Sequence, residues 1–245
     1  MSHNIHSDFI LSPITEILKN VVLASAGIGN GIETYPLCDY VMQSVFIKMT
    51  GYQEQKMKCI TWELATFDYD YRRVLLSNDD RLGECSSYAD KNKIFKRLVA
   101  QIQKHNKEFD IINNIDNKTI LQETITCIKN IFANTNLSIW AQSSFLVFVN
   151  NKTLIKKEHF LCIDSKGKTN MFENVLQDKY EILYNHRNRI AHNTQSYQQD
   201  LPTLKTLVSE NYKYENYFLH FAILVLIDKI FIELYKHHLE RPEYN

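Results

Sequence analysis

The chain has 245 residues, of which 44% are hydrophobic, so it can bury a substantial core without disulfides or metals. Its 28 basic and 28 acidic residues give a formal net charge of +0, which leaves no global positive field to attract nucleic acid. Only 6 Gly and 4 Pro are present, too few for the many turns of an all-β fold. The composition predicts a mostly helical protein, in which any RNA binding uses a local patch.

The hydrophobic periodicity predicts helices over 13–26, 36–50, 52–76, 89–108, 117–134, 170–192 and 212–238. The predicted fold class is therefore all-α, a helical bundle of about six to eight helices. Either 145–149 or 158–164 has the composition of a strand and predicts one short β-hairpin. Residues 1–245 are expected to form a single domain, with the polar run 106–118 as a candidate boundary or a simple connection between two helices.

The distribution of cysteines and apolar residues predicts the compartment. The five cysteines are odd in number and dispersed, without a Cys-x-x-Cys pair, which favours a reducing environment. The first ten residues lack the basic start and apolar core of a signal peptide. The most apolar segment, 217–235, contains four polar residues that are interpreted as lying on the wet side of a core helix, namely His220, Asp228, Lys229 and Glu233. We expect a cytoplasmic protein with no membrane contact.

The segment 184–194 combines an arginine, amides and histidines at the end of an amphipathic helix. One packed face of that helix is predicted from residues that recur at spacings of four and three, namely Leu176, Tyr180, Leu183, Arg187 and Ile190. Arg187 on this face needs an anionic or carbonyl partner, or a crevice shared with another helix or subunit. Asn188 and His192 are four residues apart and share a neighbouring side. Arg187 and His192 are splayed by roughly 140° in an ideal helix and converge if the helix frays near Asn193.

The pattern Arg-Asn-x-x-x-His at Arg187, Asn188 and His192, on a helix flanked by apolar residues, resembles the signature of the HEPN superfamily. These are all-helical domains of toxins and antiphage ribonucleases, and the resemblance covers about twenty residues directly. It implies an HEPN-like fold and a homodimer that brings two motifs into one composite site. It also implies that Arg187 and His192 are the catalytic pair and that Asn188 assists them.

The residue types of the motif suit metal-free RNA cleavage, in which the ribose 2′-hydroxyl attacks its own phosphate. This reaction needs a proton acceptor near the 2′-oxygen and positive charge near the phosphate. His192 can accept the proton because imidazole titrates near neutral pH, and Arg187 can bind phosphate oxygens through paired hydrogen bonds. Asn188 would orient the histidine or the phosphate. In a dimer, one His192 could act as base and the other as acid.

The same residues also have structural interpretations. His192 could cap free carbonyls at the helix end, and Arg187 could pair with a carboxylate only to stabilise the fold. Tyr184 could stack an RNA base, although an aromatic residue on a packed helix more often belongs to the core. His186 and Arg189 are interpreted as solvated side chains.

A second constellation, at 62–73, interleaves aromatic, basic and acidic residues. It could form an RNA-stacking surface, but its dense carboxylates favour a salt-bridged helix. Glu63 or Asp68 is a candidate to orient the motif arginine. The nine histidines include no set with the spacing of metal ligands, so neither a metal site nor a cofactor is predicted.

The motif thus predicts a metal-independent endoribonuclease that leaves 2′,3′-cyclic phosphate ends, and the resemblance implies a role as a toxin or antiphage defence effector. Its expected partners are an RNA substrate, a second copy of the chain, and an antitoxin or sensor protein. The alternative is a non-catalytic HEPN-like module that dimerises and binds a partner protein or RNA. A third interpretation is a toxin silenced by nucleotidylation of a tyrosine near the motif. Tyr197 lies five residues after His192, and Thr194 occupies the place where that branch has its tyrosine.

Overall fold

A computed structural model describes residues 5–77, 85–163, 167, 169–192 and 216–240. Within these ranges, the chain forms eleven α-helices: α1 (Ile5–Leu11), α2 (Thr15–Ala24), α3 (Tyr35–Phe67), α4 (Tyr69–Ser77), α5 (Tyr88–His105), α6 (Ile111–Asn114), α7 (Asn117–Phe132), α8 (Asn136–Trp140), α9 (Gln142–Asn150), α10 (Asn174–His192) and α11 (Tyr217–Leu239). Two strands, β1 (Phe160–Ile163) and β2 (Thr169–Phe172), pair antiparallel, with Phe160 opposite Phe172. The predicted all-α bundle with one short hairpin is confirmed.

Helix α3 runs without interruption for 33 residues, where two separate helices were predicted. Its buried residues continue from Cys38 to Leu64, so packing carries the helix through Gly51. The break comes instead at Asp68, whose backbone is extended and whose carboxylate accepts a hydrogen bond from the backbone N–H of Tyr71 at 2.9 Å. Asp68 therefore ends α3 and caps the start of α4.

The strand assignment of 145–149 was wrong, because this segment lies within helix α9. Its Phe145 ring packs against Phe218 of α11 at a centroid distance of 5.0 Å, so tertiary contacts outweigh the β-branched composition. The hairpin forms at 160–163 and 169–172, which overlaps the alternative prediction at 158–164. As a result, the helix predicted from residue 170 begins at Asn174.

Helix α11 is buried on nearly all sides and contacts α3, α5 and α7. The interpretation of 217–235 as a core helix is correct, but Asp228 and His220 are buried rather than on a wet side. The predicted boundary region contributes Phe109, Ile111 and Ile115 to the same hydrophobic core.

A buried ion pair joins α3 to α11. Lys56 Nζ lies 2.6 Å from Asp228 Oδ1, and only 1% and 2% of the two side chains are exposed. Asp228 Oδ2 also accepts a hydrogen bond from the backbone N–H of Ile14 at 2.9 Å, while Lys56 donates to the carbonyl of Ser12. Burial raises the pKa of Asp228 and lowers that of Lys56, and their mutual attraction opposes both shifts. The pair fixes α3, α11 and the turn between α1 and α2.

The start of α10 is tied to α5 through the hairpin. The Tyr88 hydroxyl donates to the carbonyl of Phe172 at 3.1 Å and accepts from its N–H at 3.0 Å. The two rings stack with their centroids 5.6 Å apart. Phe172 lies two residues before Asn174, so this contact fixes where α10 begins.

Among the described helices, none taken alone is long and apolar enough to cross a membrane. Helix α1 and the segment Thr15–Gly27 meet those criteria together, with a bend of 68° between them. All five cysteines are free.

Candidate functional site

Helix α10 carries the motif, and its packed face is the one predicted from the sequence. Leu176, Tyr180 and Leu183 are buried, and Ile190 packs against the core at its edge. Arg187 is half-buried, with 25% of its side chain exposed. Arg187 therefore lies where the packed face of α10 passes from the apolar core to the protein surface.

The Arg187 guanidinium has two polar contacts. Its Nη2 atom lies 3.4 Å from Glu54 Oε1 of α3, and its Nη1 atom donates to Asn188 Oδ1 at 3.1 Å. The buried Nε atom has no hydrogen-bond partner among the described residues. A contact of 3.4 Å is long for a charge-assisted hydrogen bond. Because Nε is buried, it cannot reach an incoming anion, but each Nη atom carries two N–H groups and uses only one, so the guanidinium keeps donor capacity for a further anion.

A buried lysine lies beside this pair. Lys91 of α5 donates from Nζ to the carbonyl of Cys85, and its Nζ atom lies 6.0 Å from the centre of the Tyr180 ring. Burial lowers the pKa of Lys91 to about 8, a shift that Glu54 opposes and Arg187 reinforces. Glu54 is therefore the carboxylate that interacts with both cations at this site.

Tyr180 lies on the buried side of the site that contains Arg187, Glu54 and Lys91. Its hydroxyl donates to the carbonyl of Ser86 at 2.7 Å, and burial raises its pKa well above the ordinary value. Tyr184, the predicted base-stacking residue, lies one turn further along α10 and is partly buried against the core. Its position agrees with a packing role and leaves part of the ring exposed.

The structure shows a direct contact between two of the three motif residues. Arg187 and Asn188 are joined by the hydrogen bond between their side chains. His192 is the last residue of α10, but its side chain lies outside the described part of the structure. Thr194 and Tyr197 also lie outside the described residues.

The interpretation of His186 and Arg189 as solvated is wrong, because both are half-buried. Arg189 Nη2 lies 3.4 Å from His186 Nδ1, and His186 Nε2 lies 3.0 Å from the Tyr217 hydroxyl. Because a guanidinium can only donate, Nδ1 is the acceptor in this contact. His186 also packs against Phe46 and His220, with ring centroids 5.6 and 5.4 Å apart.

A cavity of about 370 Å³ opens beside this histidine. It is lined by Trp140, by residues 141–144 at the start of α9, and by Tyr217 and Phe218. Tyr217 therefore contacts both the cavity and His186, the residue that precedes Arg187. The cavity is close to the motif but contains none of its three residues.

The structure places the predicted orienting acids away from Arg187. Glu63 is buried and its Oε1 lies 2.9 Å from His6 Nδ1. Nine residues separate it from Glu54 on α3, which corresponds to about 14 Å along the axis and the opposite side of the helix. Asp68 accepts instead from Gln101 and Lys104 at 2.9 and 2.7 Å.

Glu54 was missed by the sequence reasoning, although one signal for it was present. An arginine on an apolar face requires an anionic partner. Glu54 is a candidate for that partner, because it is next to Gln53, which is buried on α3. The salt-bridged helix predicted at 62–73 is interrupted at Asp68, and within this segment Asp68 pairs with Lys104 of α5 while Glu63 contacts His6 of α1.

No family model, curated protein or solved structure matches the chain. The resemblance of Arg187, Asn188 and His192 to the HEPN signature therefore depends on the motif alone and stays a prediction. Among the described residues, no group of three or more His, Cys, Asp or Glu side chains could hold a metal ion.

Proposed function

We propose that the protein is a metal-independent endoribonuclease of the HEPN type. The observation that supports this most strongly is the state of Arg187. The Arg187 side chain is partly exposed, its contact to Glu54 is long, and among the described residues each Nη atom uses only one of its two N–H groups. An arginine held in this way can exchange a carboxylate for a phosphate oxygen without unfolding its surroundings.

In the proposed reaction, His192 removes the proton from the ribose 2′-hydroxyl, and the 2′-oxygen attacks the adjacent phosphorus. Arg187 binds the phosphate oxygens and stabilises the charge that develops on them. The bond from phosphorus to the 5′-oxygen breaks, and an acid returns a proton to that oxygen. The products carry a 2′,3′-cyclic phosphate and a 5′-hydroxyl. Asn188 positions the guanidinium through its 3.1 Å hydrogen bond.

The proposed assembly is a homodimer in which two motifs line one cleft, so that the second His192 supplies the acid. The proposed biological role is that of a toxin or antiphage effector, with an antitoxin or sensor protein as its regulator. Cells that overproduce the folded, unrestrained protein are expected to stop growing. Replacement of His192 by alanine should restore their growth.

The direct test incubates the purified wild type, Arg187→Ala and His192→Ala with total RNA in EDTA, followed by end-group analysis of the fragments. The wild type should cleave and leave cyclic phosphate ends, whereas both variants should leave the RNA intact. His237→Ala serves as the matched control, since His237 contacts Glu240 at the far end of α11. Full activity in either motif variant with an unchanged melting temperature would overturn the proposal.

The second candidate function is a non-catalytic module that dimerises and binds a partner protein or RNA. The contact between Glu54 and Arg187 favours it, because a carboxylate partner is what a purely structural arginine has. This candidate predicts no cleavage by the wild type, in isolation or in expressing cells, together with a dimer in sedimentation analysis. RNA cleavage that requires His192 would exclude it.

A further inference from the structure

A second cavity, separate from the motif, lies between α7, the end of α9 and the loop that follows α9. Its volume is about 400 Å³, within the size range of sites that bind small organic ligands. Its apolar wall includes Leu121 and Ile125 of α7, Phe148 of α9, and Ile155 of the loop. Phe148 and Ile155 are themselves buried, so the bottom of the cavity is firmly packed.

Four lysines surround this apolar wall, namely Lys118, Lys129, Lys152 and Lys157, whereas none of the lining residues is acidic. Lys129 and Lys152 form no ion pair with any described residue. Lys157 lies 3.9 Å from Glu158, with both side chains largely exposed, so this contact is weak. In a chain with equal numbers of acidic and basic residues, the cavity lining carries a local charge of four ammonium groups.

The dipole of helix α7 explains the position of only one of its two lysines at the cavity. Lys129 lies in the last turn of α7, where the helix dipole favours a cation, but Lys118 lies in the first turn, where the dipole disfavours one. Asp116, which attracts Lys118 electrostatically, accepts hydrogen bonds from the backbone N–H groups of Lys118 and Thr119 at 2.9 and 3.1 Å. Glu158 lies 3.9 Å from Lys157, whereas Lys129 and Lys152 have no ion-pair partner among the described residues, so the positive charge of the cavity rim is only partly compensated.

We propose that this cavity binds a nucleoside polyphosphate. Four ammonium groups match a ligand that carries several negative charges. A fatty acid is a poorer match, because it carries only one carboxylate. The apolar wall would be unused by inorganic phosphate, whereas it suits the face of a nucleobase. Gln122, Thr126 and Asn151 add neutral polar groups that can hydrogen-bond to the edge of a base. The proposal does not depend on the RNA cleavage proposed for Arg187.

The test is calorimetric titration of the full chain in EDTA with ATP, GTP, CTP and UTP, and with adenosine, guanosine, cytidine, uridine and tripolyphosphate. At least one triphosphate should bind at least tenfold more tightly than its own nucleoside and than tripolyphosphate, because only it uses both the lysines and the apolar wall. Binding of no triphosphate at millimolar concentration would overturn the proposal. Equal affinity for tripolyphosphate would also overturn it, since that result describes a bare anion site.

Two pairs of substitutions locate the binding. Lys129→Gln combined with Lys152→Gln should weaken the triphosphate at least tenfold, because it removes two of the four positive charges. Lys48→Gln combined with Lys96→Gln removes two exposed lysines outside the cavity and should leave the affinity within twofold. Equal weakening by both pairs would place the binding elsewhere and refute the assignment. Lys129 is half-buried and the other three lysines are exposed, so melting temperatures should change little.

Discussion

Helix α3 contributes to two ion pairs whose positions differ by only two residues but whose surroundings are very different. Lys56 pairs with Asp228 at 2.6 Å, and almost none of either side chain is exposed. Glu54 pairs with Arg187 at 3.4 Å, with 18% and 25% of the side chains exposed. The first pair is completed by Ser12 and Ile14, whereas the second leaves Arg187 Nε without a partner among the described residues.

The difference separates a pair that stabilises the fold from one that can exchange partners. An ion pair without contact to water must keep both members, because the loss of one leaves a buried charge. A half-buried pair can be opened at lower cost than a fully buried one, since water and incoming ions can reach its exposed part. Lys56 and Glu54 are close together on α3, but their ion pairs have different roles.

The largest effect is expected from Asp228→Ala, which leaves the Lys56 ammonium buried without its anion. We predict a loss of about 3–5 kcal/mol in the free energy of unfolding, measured by urea denaturation. Glu123→Ala is the matched control, because Glu123 pairs with Lys229 of the same helix α11 but is largely exposed. That control should lose less than about 1 kcal/mol. Similar losses for both variants would remove the distinction between buried and exposed pairs.

The buried lysine beside Arg187 gives a pH-dependent effect. The pKa of Lys91 is lowered to about 8 from an ordinary 10.5, so between these pH values the unfolded chain holds a proton that the folded protein has released. Stability therefore rises with pH through this window, and the cost of burying the charged ammonium is fully present below about pH 8.

Comparison with Lys91→Met isolates this contribution from other groups that titrate at high pH. The stability of the wild type relative to the variant should rise by on the order of 2 kcal/mol between pH 7 and pH 10. Urea denaturation at one-unit intervals of pH measures the difference. A difference that stays constant across this range would show that folding does not lower the pKa of Lys91.

A smaller effect on stability is expected from Arg187→Ala. It removes a long ion pair and one hydrogen bond to Asn188, and it leaves Glu54 with access to water. We predict a loss of about 1 kcal/mol in the free energy of unfolding, well below that of Asp228→Ala. A loss as large as that of Asp228→Ala would show that Arg187 is needed for the fold and would favour the non-catalytic interpretation.

The smallest effect concerns Glu54→Gln, studied in a His192→Ala background so that RNA stays intact. Neutralisation of Glu54 removes a charge that competes with phosphate for Arg187, so RNA affinity should increase by about threefold at low salt. Fluorescence anisotropy with a labelled single strand measures this change. Glu123→Gln, which neutralises an exposed carboxylate on α7, is the control and should have no effect. Weaker binding by Glu54→Gln would contradict a competing role for Glu54.

The sequence was informative where a local pattern determines the structure. The spacing of Leu176, Tyr180 and Leu183 predicted the packed face of α10. It also placed Arg187 on that face, where the structure finds the side chain half-buried. The same reasoning failed for 145–149, because contact with Phe218 favours a helix despite the β-branched composition. Local propensity cannot anticipate such a contact between distant parts of the chain.

The residues that contact the motif could not be predicted from a local sequence pattern. Glu54 and Lys91 are distant from Arg187 in the sequence and meet it only through the packing of α3, α5 and α10. His186 was misinterpreted for the same reason, since its contacts with Phe46 and Tyr217 come from α3 and α11. Requirements such as an anion for Arg187 could be deduced, but the residue that meets them could not.

The attachment of α10 at its first residues has a mechanical consequence for its other end. Tyr88 fixes the backbone of Phe172, and Arg187 lies thirteen residues beyond Asn174, about 20 Å along the helix axis. A rotation of α10 by about 5° around this fixed end would displace Arg187 by about 2 Å. A displacement of that size would make or break the contact with Glu54, so a small tilt of α10 would change the availability of the guanidinium.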